Sequence, residues 1–405
     1  MLTVDEALAR IVARHAPLPA ETVSIADAAG RVLAAPVVAR LDQPFADLSA
    51  MDGYAVRAVD CGRLPATLHV VGQAPAGGAY AGTLGAGEAV RIFTGGPVPA
   101  GADTIVIQEN TKVETAGTVT ILEGAQPGRH IRRRGLDFAA GTVGIETGRR
   151  LAPRDVALAA AMNTPWLSVH RRPRIGILAT GDELVMPGEP VGPNQILSSS
   201  ALAVAALVRG WGGEAILLGI ARDTHEDIGT RISAGLSCDL LVTLGGASVG
   251  EHDLVQDALK AQGFDLDFWR IAMRPGKPLM FAERAAQTAL GLPGNPVSTM
   301  VCALLFLKPA IERLSGLPGS PVATRRAVLG SDVAANDTRQ DYVRCRLGRD
   351  GSGLPVVTPF SVQDSSMLSF LAHADGLLVR PAHDAARIAG SAVEIIDFAD
   401  LGGTF

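Results

Sequence analysis

At 405 residues the chain is long enough for two to four domains with substantial cores, and 47% hydrophobic against 19% charged residues marks it as globular rather than disordered. A formal charge of -5 argues against a dedicated nucleic-acid binder and provides no basic tail for a membrane surface. Four scattered cysteines (Cys61, Cys238, Cys302, Cys345) without a Cys-x-x-Cys pair support neither a disulfide framework nor a zinc knuckle.

The first residues, Met1-Leu2-Thr3-Val4-Asp5-Glu6, carry acids where a targeting peptide carries bases, so a cytoplasmic protein is expected. Thr3 and Glu6 form a capping box ahead of Leu8, Ile11 and Val12, which predicts an amphipathic first helix. A second apolar stretch ends near Arg40. From Leu41 to about Gly148, short β-type runs at 68–71, 89–93 and 104–107 alternate with Gly and Pro clusters, predicting a small all-β module inserted after the first helices. A helical pattern (Val156, Leu158, Ala159, Met162) returns before Pro165 and is expected to pack beside the N-terminal helix, making the first domain discontinuous.

From Arg172 onward strands and helices alternate. Strands are expected at 175–179, 215–220, 239–244, 278–281 and 289–292. Helices are expected over 200–209, after a capping box of Asp223 and Glu226, over 253–262, and after Asn295-Pro296. Continuous apolar strands alternating with helices mean a mostly parallel sheet covered on both faces. The longest apolar run, 297–307, is too short to span a bilayer. Beyond Gly319, β-type segments at 342–347, 376–379 and 392–396 predict a small C-terminal β domain. The expected division is 1–45 with 146–172, an inserted β domain over 46–145, an α/β domain over 173–322 and a β domain over 323–405.

Three glycine-bearing loops follow strands of the α/β region: Thr180-Gly181-Asp182-Glu183-Leu184, Gly245-Gly246-Ala247-Ser248-Val249-Gly250, and Leu292-Pro293-Gly294-Asn295-Pro296-Val297-Ser298. Strands of a parallel sheet end together, so the loops should meet at one edge, where open α/β sheets bind ligands. Glycines allow close backbone approach, and free N–H groups at a helix start favour an anion. Neither a Walker-type Gly-x-x-x-x-Gly-Lys-Ser/Thr nor a Gly-x-Gly-x-x-Gly fingerprint is present. Carboxylates crowd the same mouth (Asp182, Glu183, Asp223, Glu251, Asp253), an arrangement that suits Mg²⁺ bridging to phosphate oxygens, with helix capping accounting in part for Asp223 or Glu251. Arg274-Pro275-Gly276-Lys277-Pro278 supplies rigidly held positive charge. A second basic cluster, Arg129 with Arg132 to Arg134, suits solvated or inter-domain roles as well as ligand binding. Asp52 sits among apolar neighbours in Ser49-Ala50-Met51-Asp52-Gly53-Tyr54-Ala55, an odd place for an unpartnered acid.

These segments, together with Phe93-Thr94-Gly95-Gly96-Pro97-Val98-Pro99-Ala100-Gly101-Ala102-Asp103 and Arg132-x-x-Gly135-x-Asp137, occur in one order along the chain. In that series the chain resembles the molybdopterin molybdenumtransferases, the bacterial MoeA family that also includes the E domain of gephyrin. The resemblance implies a multidomain α/β plus β fold: a central parallel α/β, MogA-like molybdopterin-binding domain, an inserted β domain and a C-terminal β-barrel-like domain. It implies insertion of molybdate into adenylyl-molybdopterin with Mg²⁺ and release of AMP. It further implies an elongated homodimer with inter-subunit sites and contact with the molybdopterin adenylyltransferase.

Carried over by position, the resemblance makes Asp52, Glu183, Asp223, Asp253 and Lys277 catalytic, with Glu183 and Asp253 on the metal. Substrate-binding positions are Thr94, Asp137, Thr180, Gly181, Asp182, Gly245, Gly246, Ser248, Gly250, Arg274, Pro293, Gly294, Asn295, Pro296 and Ser298. Two departures stand out. Ser198-Ser199-Ser200 replaces the Asp-Ser-Asn of many relatives, and Arg274 stands where some have Lys. The rival readings are a non-catalytic molybdopterin-binding scaffold and a hydrolase sharing the α/β domain. The first 170 residues and the C-terminal segment argue against the hydrolase.

Overall fold

A computed structural model describes residues 1–115, 117–246, 254–285, 287–349 and 353–405. The chain forms two compact units, one of Met1–Glu21, Gly30–Val32 and His170–Phe405, the other of Thr22–Ala29 and Leu33–Val169.

The expected capping box opens α1 (Val4–Arg14): Thr3 Oγ1 accepts the Glu6 N–H, and Glu6 Oε2 accepts the Thr3 N–H. The apolar stripe Val4, Ala7, Leu8 and Ile11 is buried in the main core of the first unit with Ile311 and Leu314. That corrects the expected partner. An eleven-residue helix with one apolar stripe has one face to bury, and here that face is taken up by the end of the α/β region rather than by the helix after Leu151.

The second unit contains a six-stranded sheet of β1 (Gly53–Val56), β2 (Ala66–Ala74), β3 (Glu88–Ile92), β4 (Thr104–Ile107), β5 (Thr111–Thr115) and β6 (Thr118–Ile121), in the order β4-β1-β3-β2-β6-β5. Alternation along β1 sends Tyr54 and Val56 into one apolar cluster and Ala55 into another, so both sheet faces carry a core. Gly53 is required by register, since a Cβ there would lie 2.0 Å from the Val106 carbonyl oxygen. The helix α2 (Pro153–Ala161) packs Ala159, and Met162 just beyond it, against Leu33, Val37 and Phe138.

The first unit carries the predicted alternation: β7 (Arg174–Thr180), α3 (Ser199–Gly210), β8 (Glu214–Ala221), α4 (His225–Ala234), β9 (Leu240–Leu244), α5 (Leu254–Ala261), β10 (Asp265–Phe268), β11 (Met273–Arg274), β12 (Met280–Arg284) and β13 (Gln287–Leu292). The sheet order is β8-β7-β9-β13-β12-β10, with the first four strands parallel and the last two antiparallel. Ile175 and Ile177 face one core, Leu178 the other, as a sheet covered on both sides requires. The cap of α4 lies one residue later than expected: Thr224 Oγ1 accepts the Asp227 N–H, and Asp227 accepts the Arg222 N–H. The long helix expected after Asn295 is α6 (Pro296–Cys302), a π turn over Ala303–Leu307, and α7 (Lys308–Leu314). Pro309 has no N–H for the helical ladder, and the widened turn precedes it.

The C-terminal strands are β14 (Arg325–Leu329), β15 (Gln340–Arg349), β16 (Pro355–Pro359), β17 (Gly376–Arg380) and β18 (Ala392–Asp397). They run β15-β16-β14-β18-β17 and close back onto β15, a five-stranded barrel around Leu329, Cys345, Val357, Leu378 and Ile395. Closure leaves no free edge among them. Tyr342, Leu377 and Ile396 join the α/β core from outside the barrel, and β11 pairs in parallel with the start of β15.

Candidate functional site

Because β7, β9 and β13 are adjacent and parallel, Thr180, Leu244 and Leu292 emerge at one edge. The Gly245 N–H donates to the Leu292 carbonyl at 3.2 Å. Gly245 has φ +90°, and a Cβ there would lie 2.9 Å from the Thr180 carbonyl oxygen. Only glycine lets the first two loops approach this closely. Gly294 closes on the same point, since a Cβ on it would lie 3.5 Å from the Gly245 Cα.

A cleft of about 1200 Å³ opens over this edge. Thr180, Gly181, Glu183, Asp223, Gly245 and Gly246 line it from the strand ends, Arg274 and Lys277 from the Pro-Gly-Lys-Pro turn, and Pro293, Gly294, Asn295, Pro296 and Ser298 from the third loop. Glu183 folds back over Gly181, where a Cβ would meet its Oε2 at 2.4 Å. Asp182 is not on the cleft wall. Its Oδ1 accepts the Asp223 N–H at 3.1 Å, which fixes the backbone from which the Asp223 side chain projects. Ser248, Gly250 and Asp253 fall outside the described residues.

Two expectations about charge change. The start of α6 offers less to an anion than the sequence suggests. Pro296 has no N–H, and Val297 donates its own to the Ser365 carbonyl at 3.1 Å. Asn295 spends its side-chain amide on Ser365 Oγ at 2.8 Å instead of capping the helix. Arg274 is already matched by acids of the barrel domain: it pairs with Asp341, and with Asp337 at 3.3 Å. The hydrogen bond to Asp341 raises its pKa above the usual arginine value. Lys277 has no ion-pair partner among the described residues.

Sequence periodicity missed a whole wall. Arg339, Gln363, Asp364, Ser365 and Ser366 of the C-terminal domain line the cleft. The polar run Gln363-Asp364-Ser365-Ser366 was the available signal, but nothing in it says which distant loop it will cover. Ser198, Ser199 and Ser200 also line the cleft, with Ser198 4% exposed at the start of α3 and making no side-chain cap bond.

In the second unit, Asp52 and Thr94 come together. They follow from register: Asp52 precedes β1, Thr94 lies just beyond β3, and Gly53 opposes Ile92. Asp52 Oδ1 accepts both the Thr94 N–H (2.7 Å) and its hydroxyl (2.8 Å), and these bonds, the backbone one first, hold the carboxyl below the ordinary aspartate range. Arg91 donates to the Gly53 carbonyl at 3.1 Å and stacks on Tyr54 and Phe93. Asp137 is exposed in the same unit, and among its neighbours Arg133 and Arg134 are paired with Asp47 and Asp42.

Among the described residues, no group of three His, Cys, Asp or Glu side chains is placed to hold a metal, and no helix is long and apolar enough to cross a membrane. The carboxylates that line the cleft are Glu183, Asp223 and Asp364.

Residues 2–163 match the MoeA N-terminal region (domain I and II), residues 176–313 a probable molybdopterin binding domain, and residues 326–398 the MoeA C-terminal region (domain IV). Fold and site therefore define a transferase of molybdenum cofactor biosynthesis, with a MogA-like α/β domain and a C-terminal barrel. A molybdopterin molybdenumtransferase 2 of Mycobacterium tuberculosis is 36% identical over 93% of this chain and 94% of its own. The molybdopterin molybdenumtransferase of a Nostoc species is 42% identical over 69% of this chain and 66% of its own. The crystal structure of a molybdopterin biosynthesis MoeA protein from Pyrococcus horikoshii superimposes with a TM-score of 0.85 at 28% identity, covering 98% of this chain and 99% of that one. The chain belongs to the molybdopterin molybdenumtransferase (MoeA) family.

Proposed function

We propose that this protein inserts molybdate into adenylyl-molybdopterin with Mg²⁺, releasing AMP and molybdenum cofactor. The observation that supports this reading best is the cleft itself: three glycine-bearing strand ends meet a lysine, two arginines and three carboxylates in a space large enough for a dinucleotide-sized ligand. Lys277, with those loop N–H groups that do not already donate within the fold, holds oxyanion and phosphate oxygens, and the glycines let them approach. Glu183, with Asp253 beyond the described residues, would hold Mg²⁺, and Asp223 would orient the reacting groups. A site with few protein ligands would suit Mg²⁺, an ion that keeps several of its waters, and among the described residues no group of three His, Cys, Asp or Glu side chains is placed for a metal. When bound, the ion neutralises charge on the phosphoanhydride as it breaks.

The remaining cleft residues, Thr180, Gly181, Gly245, Gly246, Pro293, Gly294, Asn295, Pro296 and Ser298, shape the substrate site, with Ser248 and Gly250 expected beside them. The working unit is a homodimer in which Asp52, Thr94 and Asp137 of a second copy complete the site. The protein acts in the cytoplasm and receives its substrate from the adenylyltransferase that makes it. The proposed domains are 1–45 with 146–172, 46–145, 173–322 and 323–405, with α1 of the first segment packed on the end of the α/β region.

Purified protein given adenylyl-molybdopterin, molybdate and Mg²⁺ should release AMP. Its absence, with the substrate shown intact and bound, would overturn the reading. Ser198 on the cleft wall favours one second reading, a scaffold that holds molybdopterin without chemistry. In that case Ser198→Asp creates AMP release that the native chain lacks, whereas the enzymatic reading requires release from the native chain.

A further inference from the structure

The Pro-Gly-Lys-Pro turn is fastened to the barrel through one side chain. Arg274 Nη2 donates to Asp341 and, at 3.2 Å, to Asn336 Oδ1, while Nη1 reaches Asp337 at 3.3 Å. The backbone repeats the attachment: β11 lies parallel to β15 with Arg274 opposite Asp341, and the Gln340 N–H donates to the Ala272 carbonyl at 3.0 Å. Asp341 is 7% exposed, and its other oxygen, Oδ1, is buried without a hydrogen-bond partner. Asn336 is itself held, donating to the Arg339 and Pro381 carbonyls at 2.8 Å each. Asp337 also binds Arg339, through its N–H at 2.9 Å and its guanidinium at 2.8 Å.

A guanidinium has five N–H donors in a fixed fork, and here donors on both terminal nitrogens reach residues at and just before the start of β15. Two arginines face two aspartates, so the cluster is balanced and Arg274 brings little net charge to the cleft. We infer that Arg274 is a positioning residue: Asp341 and Asp337 use it to anchor the turn, and the turn presents Lys277 to the anion. The inference rests on the proposed oxyanion site for its kinetic consequence and on geometry alone for the anchor.

The test is a double-mutant cycle with Arg274→Ala and Asp341→Ala, read in kcat/KM for molybdate-dependent AMP release and in amide hydrogen exchange of the segment 271–279. An anchor shared by the two side chains predicts single losses of similar size, on the order of tenfold or more, with the double variant no worse than either, and faster exchange in all three. Lys277→Ala should lower kcat/KM without faster exchange. Asp337→Asn, at an exposed site, is the milder variant should Asp341→Ala fold poorly, and it should also speed exchange. Losses that multiply in the double variant, or unchanged exchange in the single variants, would instead make Arg274 an independent anion ligand and overturn the inference. If the wild-type chain releases no AMP, the functional reading fails, while the exchange measurement still decides the anchor.

Discussion

Asp52 accepts two hydrogen bonds from Thr94, and Glu183 projects over Gly181 into the cleft, so the two acids are held by different means. Replacing either with alanine removes a charge without opening a core. Turnover should fall by roughly 10²-fold or more while urea unfolding stays near wild type. Wild-type turnover in either variant removes that residue from the site. Gly245→Ala should behave oppositely. The positive φ and the 2.9 Å approach to Thr180 make it destabilise by about 1–3 kcal/mol and weaken ligand binding, measurable by unfolding and by titration. Both acids and the glycine were readable from motif and turn chemistry. Ser365 was not, because its role comes from a contact with Val297 and Asn295 that local sequence does not encode.

His15 follows directly on α1 and is buried between that helix and the sheet. In the neutral ring that burial favours, Nδ1 donates to the Ile11 carbonyl at 2.7 Å and Nε2 lies 2.9 Å from the Thr288 hydroxyl, which can donate to it. Burial pushes its pKa from 6.5 down to about 4. A folded value below the unfolded one means the unfolded chain takes up the proton first. The stabilisation is therefore complete above pH 6.5 and drains away as pH falls toward 4. Between pH 7 and 5 the loss should approach roughly 2 kcal/mol in urea unfolding, and His15→Gln should flatten that slope. A slope unchanged by the substitution would assign the acid sensitivity elsewhere. At this scale the sequence was informative about periodicity and caps. The α1 box is as read, and α4 begins one residue later because Thr224 competes successfully with Asp223 for the cap. The π turn ahead of Pro309 was not legible, and the barrel closed by β15 and β17 was expected from the family resemblance rather than from local pattern. Both depend on pairing and packing between segments rather than on local preference.

For the molecule as a whole, the convergence of the three loops followed from the reading of a parallel sheet, and β7, β9 and β13 do end together over the cleft. The partner of α1 and the barrel wall of the cleft did not follow, since hydrophobic patterning says that a face is buried but not against what. The central claim is that this cleft carries out a molybdate-dependent, Mg²⁺-dependent cleavage. The most direct measurement is AMP release from adenylyl-molybdopterin by the native chain, with molybdate and Mg²⁺ each omitted in turn. The account predicts release with both present, loss of release when either is withheld, and recovery when Mg²⁺ is restored after chelation. Release that continues without molybdate or without Mg²⁺, or none with intact substrate bound and both supplied, would contradict it.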